Sequence, residues 1–118
     1  MKLNHINLGV SDVMAIVDLL EKHFGLRPAG EGMPRNANMA FLHDDNDSLI
    51  SVFKSKDVNY PAVFHVGFLQ DSAEQVRSIH AQLKADGFSV PEPREQHGRI
   101  TFYFTPPGGF VIEVEAFL

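Results

Sequence analysis

The sequence predicts an α+β fold built from two βαβββ modules whose curved mixed sheets can enclose a concave space. Three observations point there. A phrase near the N-terminus, LNHINLGVSD, is echoed sixty residues later by AVFHVGFLQD, so that His5 and His65 each stand six residues before a capping residue, Ser11 or Asp71. In both halves a helix closed by Gly follows, some twenty residues past the His. After each helix the apolar pattern reads as three further strands. The chain is 118 residues long, the size of one domain. Its modules are expected to span about 1–57 and about 58–118.

The elements follow in order. Leu3 to Val10 alternates, with Ile6, Leu8 and Val10 on one face and Leu3, His5, Asn7 and Gly9 on the other. Ser11 is the expected N-cap. Val13, Ile16, Val17, Leu20 and Phe24 recur at helical spacing, and Gly25 stops the helix. Leu26–Ala29 reads as a short edge strand, GEGMPRNAN as a loop, Met39–His43 as a strand, and Leu49–Phe53 as another after an acidic turn. The second half opens with Val63–Leu69, with His65 and Gly67 on one face. Asp71 and Glu74 have capping-box spacing. Val76, Ile79 and Leu83 form the buried stripe of a helix ending at Gly87. Phe88–Val90 reads as a short strand, PEPREQHG as a loop, Arg99–Phe104 as a strand, TPPGG as a tight turn, and Phe110–Phe117 as the last strand.

Composition excludes several functions. A net charge of -5 gives no basic footprint for nucleic acid. The absence of cysteine excludes disulfides and thiol chemistry. No apolar run approaches the ~20 residues that span a bilayer. The N-terminus lacks the pattern of a signal peptide, so a cytoplasmic protein without a membrane partner is expected.

The chemistry-bearing residues lie on the mixed strand faces. His5 and His65 occupy equivalent positions, and Glu113 and Glu115, two apart, share a face of the last strand. Two His and one carboxylate from three strands would form a facial triad for a divalent metal such as Fe, Mn, Zn or Ni, with open positions for water, oxygen or a chelating substrate. The concave space then becomes a metal and substrate cavity. The opposing reading is that the two His are structural and the Glu solvated. On Arg99–Phe104, parity puts Arg99, Thr101 and Tyr103 opposite the core residues Ile100, Phe102 and Phe104, so Tyr103 faces the cavity. Its phenol could hydrogen-bond an oxygen held at the centre, or simply pack its ring and wet its hydroxyl. His97, in the loop before that strand, could be a general acid or base, or an exposed loop residue. His23, His43 and His80 read as structural or solvated. Arg35 reads as a solvated loop residue, though it could meet an anionic substrate.

HINLGVSDV, FHVGF and FTPPGGFVIEVE together resemble the vicinal oxygen chelate superfamily, which includes glyoxalase I, bleomycin and fosfomycin resistance proteins and extradiol dioxygenases. The resemblance covers essentially the whole chain. In the closing phrase of that family, D-P-x-G is followed four residues later by a metal-binding Glu. Counting from Gly109 gives Glu113; Pro106 stands where the Asp is usual. The resemblance implies His5, His65 and Glu113 as metal ligands, with Glu115 the weaker candidate. It also implies an active-site Tyr ten residues before the ligand Glu, as in extradiol dioxygenases, which is Tyr103. Glyoxalase I-like members carry a fourth ligand on the strand equivalent to Leu49–Phe53. That strand reads LISVF, with Ser51 a poor substitute, so a three-ligand site is expected. No Lys, Ser and Tyr cluster for a phosphonate stands out; Arg99 and Lys54 are the basic residues near cavity strands. The function implied is a metal-dependent enzyme acting on a small vicinal-oxygen substrate by dioxygenase-, lyase- or isomerase-type chemistry, with a homodimer expected. The alternative is a metal-free, ligand-sequestering protein of bleomycin-resistance type.

Overall fold

The computed structural model describes residues 1–118. The chain divides into two units, 1–59 and 60–118. The first contains β1 (His5–Val10), α1 (Val13–Phe24), β2 (Arg27–Pro28), β3 (Met39–His43) and β4 (Leu49–Lys54). The second contains β5 (Val66–Leu69), α2 (Ala73–Ala85), β6 (Arg94–Gln96), β7 (Arg99–Phe104) and β8 (Ile112–Phe117). Each unit is therefore a βαβββ module, and the α+β fold class is as the sequence predicts.

Each unit holds a four-stranded mixed sheet, in the order β1-β4-β3-β2 in one and β5-β8-β7-β6 in the other. The first and last strands of each unit run parallel, and the other pairs are antiparallel. A parallel pair needs a long crossover, which the helix supplies. One face of each sheet packs on its own helix. In the first unit Leu8, Val10, Ala40, Leu42 and Val52 are buried with Val13, Ile16, Val17 and Leu20 of α1. In the second, Ile100, Phe102, Ile112, Val114 and Ala116 are buried with Val76, Ile79 and Leu83 of α2. Truncating a fully buried residue such as Leu83 to Ala removes about 2–5 kcal/mol. The opposite face of each sheet carries no helix of its own unit, and the candidate residues lie there.

Three local expectations need correction. The helix caps are Asp12 and Ser72, one residue later than Ser11 and Asp71. Asp12 accepts from the Ala15 amide at 3.1 Å and Ser72 from the Gln75 amide at 3.2 Å. Both caps have extended backbone, which aims the side-chain oxygen at the third helical amide. Gln75 returns a bond one residue before the cap, its side-chain oxygen accepting from the Asp71 amide at 2.9 Å. The sixty-residue offset between the caps survives, because both shift together.

Second, Phe88–Val90 is not a strand. The short strand is β6, inside the stretch read as a loop. Pro91 and Pro93 lack amide donors, so pairing begins only after them. His97 and Gly98 then make a two-residue hairpin, both with positive φ, 51° and 73°. That is the turn chemistry matching the twist of paired strands, and it sets Gln96 opposite Arg99. Third, the strands starting each half are shorter than their alternation suggests. The first begins at His5 rather than Leu3. The second begins at Val66 rather than Val63, because the Phe64 amide turns back to the Pro61 carbonyl at 3.0 Å.

α1 ends as expected at Gly25, whose φ of 66° is the left-handed value a Schellman-type stop requires.

The caps give a direct test. Asp12→Ala and Ser72→Ala each lose about 1 kcal/mol in urea denaturation. Ser11→Ala, on an exposed residue that does not cap, changes stability by less than about 0.5 kcal/mol.

Candidate metal-binding site

The register of the second sheet builds the site. β8 lies between β5 and β7, and Glu113 stands opposite Gly67 on one side and Tyr103 on the other. Directly paired residues share a face, so Gly67, Glu113 and Tyr103 form one row across the sheet. The next row is Leu69, Glu115, Thr101 and Arg94. This is the face away from α2.

His65 sits just before β5, at the exit of the Pro61–Phe64 turn. That turn is held by stacking of Tyr60 on Phe64, with ring centroids 4.7 Å apart, and by an edge contact of Tyr60 with Phe110. The His65 imidazole reaches back across Gly67 to Glu113, with Nε2 3.4 Å from Oε1. Its Nδ1 lies 3.0 Å from the Val63 carbonyl oxygen. A carbonyl only accepts, so Nδ1 carries the proton, and Nε2 is the ring atom turned towards the carboxylate. Glu113 is positioned from its other side, where the Thr101 hydroxyl donates to Oε2 at 2.9 Å. The Glu113 side chain is 13% exposed and that of His65 42%, so the pair is anchored on the sheet yet reachable.

The 3.4 Å separation is informative. A charge-assisted hydrogen bond closes to about 2.7–2.9 Å. Two donor atoms each about 2.1 Å from one ion lie about 3.0–3.4 Å apart, from right-angled to tetrahedral bonds. The backbone carbonyl behind Nδ1 and the hydroxyl behind Oε2 are of the kind that orients metal ligands where an ion is bound. His65 and Glu113 therefore fit a divalent ion as two adjacent ligands.

His5, the third expected ligand, belongs to the first unit. It opens β1 on the face away from α1, exposed, with Nδ1 2.9 Å from Asn4 Oδ1. Like His65, it has its Nδ1 engaged by a near neighbour. On the same face, Ser51 donates to Asn7 Oδ1 at 2.9 Å. No three His, Asp or Glu side chains of the chain gather into a group that could hold a metal ion; the second unit brings together two of the expected three.

Glu115 is engaged elsewhere. Arg99 Nη1 lies 2.9 Å from its Oε2, and the same guanidinium sits over the Phe117 ring at 4.8 Å. Tyr103 is 41% exposed, and its ring stands edge-on to that of His65, with centroids 5.5 Å apart. The Tyr103 pKa is raised above its ordinary 10.0, first by hydrogen bonding to the Glu113 carboxylate, then by partial burial and by the negative charges of Glu113 and Glu115, against Arg99. The shift favours the protonated phenol.

His97 stands apart from this group. It is the first residue of the β6–β7 hairpin turn, beyond Arg99, itself roughly 13 Å along the strand from Tyr103. His23 and His80 are buried, with the His80 ring edge-on to Phe102, and His43 is half-buried. Arg35 is bound at both Nη atoms to Glu21, at 3.0 and 2.7 Å. Sequence reasoning missed Thr101 and the Val63 carbonyl as positioning groups. Thr101 shares the Tyr103 face by strand parity, a signal available in RITFYF; the carbonyl depends on a turn that alternation does not show.

Similarity to known proteins agrees with this fold. Residues 2–114 match the family model described as the glyoxalase/bleomycin resistance protein/dioxygenase superfamily. The structure of a possible glyoxalase from Bacillus cereus is 46% identical, with 97% of each chain covered and a TM-score of 0.85. The chain belongs to this superfamily. The genomically encoded fosfomycin resistance protein FosX from Listeria monocytogenes, complexed with Mn(II) and sulfate, is 18% identical, with 99% of this chain and 90% of that one covered and a TM-score of 0.81. Lactoylglutathione lyase from Agrobacterium tumefaciens is 20% identical, with 98% and 92% covered and a TM-score of 0.74. No match was found among curated protein sequences.

Two outcomes are expected. The chain has two tyrosines, so in a Tyr60→Phe background the ultraviolet tyrosinate signal reports Tyr103 alone. Adding Glu113→Gln removes the negative charge and leaves only a neutral acceptor, and tyrosinate then forms at lower pH; an unmoved titration refutes the coupling. At the hairpin, His97→Asn leaves stability unchanged or raised, since Asn accepts positive φ. His97→Val loses about 1–2 kcal/mol in thermal or urea unfolding.

Proposed function

We propose that the chain is a metal-dependent enzyme acting on a small substrate with vicinal oxygens, through a 2-His-1-carboxylate site of His5, His65 and Glu113. The observation that carries this reading is the spacing and orientation of His65 and Glu113: donor atoms 3.4 Å apart, each with its other polar atom tied down. His5 is assigned as the third ligand because it occupies the equivalent place in the first unit, seven residues before its cap as His65 is before Ser72. LISVF of β4 offers no fourth side-chain ligand, which leaves positions for substrate. A divalent ion there would supply Lewis-acid polarisation of the paired substrate oxygens.

The side chains divide the remaining work. Thr101 fixes the Glu113 carboxylate, and the Val63 carbonyl fixes the His65 tautomer. Tyr103, standing beside His65, turns its one O–H from Glu113 to the substrate oxygen that gains charge and donates a hydrogen bond there. Arg99 neutralises Glu115 and keeps it from the ion. His97 serves the hairpin. Dioxygenase-, lyase- and isomerase-type reactions all fit these roles, and a homodimer is the expected assembly.

Metal analysis tests the reading. The full chain, purified without chelator and offered Mn(II), Fe(II), Zn(II) and Ni(II), takes up one of them stoichiometrically. His65→Ala and Glu113→Ala lose it, with circular dichroism unchanged. Failure of the wild type to bind any of the four overturns the proposal. Tyr103→Phe keeps the metal and lowers kcat/KM about 100-fold or more on whichever of fosfomycin, lactoylglutathione or catechol is turned over.

A further inference from the structure

Four of the five arginines are spent on carboxylates. Arg27 pairs with Asp45, Arg35 with Glu21, Arg77 with Glu95 and Arg99 with Glu115. Arg94 is the exception. It is exposed, and its guanidinium has no carboxylate partner. Arg94 also lines a groove of about 230 Å³ with Pro91, Glu92, Gln96, Thr101 and Tyr103. Glu92, the one acid of that groove, leans to Lys84 at 3.9 Å instead. In a chain of net charge -5, one unpaired guanidinium at a groove is not there by excess of cations.

Register says where this cation lies relative to the candidate centre. Arg94 pairs with Thr101, the residue whose hydroxyl holds Glu113. β6 is two strands from β8, about 10 Å at the usual strand spacing. Tyr103 stands between, on β7, at the groove wall. A molecule chelated at His65 and Glu113 would cross Tyr103 and present its far end to Arg94 and Gln96. A planar guanidinium with free donors selects a carboxylate or phosphate at that end, by paired hydrogen bonds.

We infer that Arg94 forms an anion subsite, and that the substrate class is a small molecule with paired oxygens at one end and an anionic group a few bonds away. The substrate class rests on the metal-centre reading; the anion subsite itself does not. Arg94 is a specificity-determining residue, with Gln96 beside it as a neutral donor.

Two measurements separate the inferences. In the metal-free full chain, glutarate is titrated while the backbone amides of Thr101, the ladder partner of Arg94, and of Gln96 are followed by NMR. A saturable shift, absent in Arg94→Gln, supports the subsite; no saturable shift, or one that persists in Arg94→Gln through another residue, overturns it. With Mn(II) added, 2-hydroxyglutarate is compared with 2-hydroxypentanoate, which lacks the distal carboxylate. The wild type prefers the former by about tenfold or more, and Arg94→Gln loses the preference while keeping its Mn(II) affinity. Equal binding of the two compounds by Mn(II)-loaded wild type overturns the substrate class. Glutarate binding without uptake of any of Mn(II), Fe(II), Zn(II) and Ni(II) leaves the subsite standing and removes the metal-enzyme reading beneath the substrate class.

Discussion

The parallel pairing of β5 with β8 is the constraint on which the chemistry of the second unit depends. It places Gly67 beside Glu113, so that bare backbone lies under the carboxylate and His65 can reach over it. A slip of one residue would turn Glu113 and Tyr103 to the α2 side and bring Val114 and Phe102 out. The register is therefore held by the same burial that holds the fold: Ile112, Val114 and Ala116 can reach the core only if Glu113 and Glu115 face away from it. The polar face is a by-product of the apolar one.

That coupling explains what could be read from the sequence. Alternation in RITFYF and VIEVE fixes parity, and parity alone puts Tyr103 and Glu113 on one face. Apolar spacing fixes both helices. The duplication is legible because the His-to-cap distance repeats, even with each cap one residue away from where composition suggests. Ser11 and Asp71 are good capping residues by type, but so are their neighbours Asp12 and Ser72. Only backbone direction at the strand exit decides between them.

What escaped the sequence depends on backbone rather than residue type. The strand β6 hides behind two prolines and a His-Gly turn; hairpins are easier to see when Asn or Asp holds the left-handed position. The Val63 carbonyl is invisible to any reading of side chains. The pairing of Arg99 with Glu115, which distinguishes the two glutamates of the last strand, is diagonal across the ladder and needs the β7–β8 register to be seen. Arg94 stood in a stretch that looked like a loop, where an arginine carries no information.

The two histidines are oriented by different kinds of partner. His65 leans on a main-chain carbonyl, which every amino acid supplies and no substitution at Val63 takes away. His5 leans on the side chain of Asn4, which a single change can remove. One half of the duplicated unit thus holds its imidazole by a permanent feature of the chain, and the other by a replaceable one. Exchanging the residue before His5 can release the ring in the first unit, while the ring of His65 in the second stays in place.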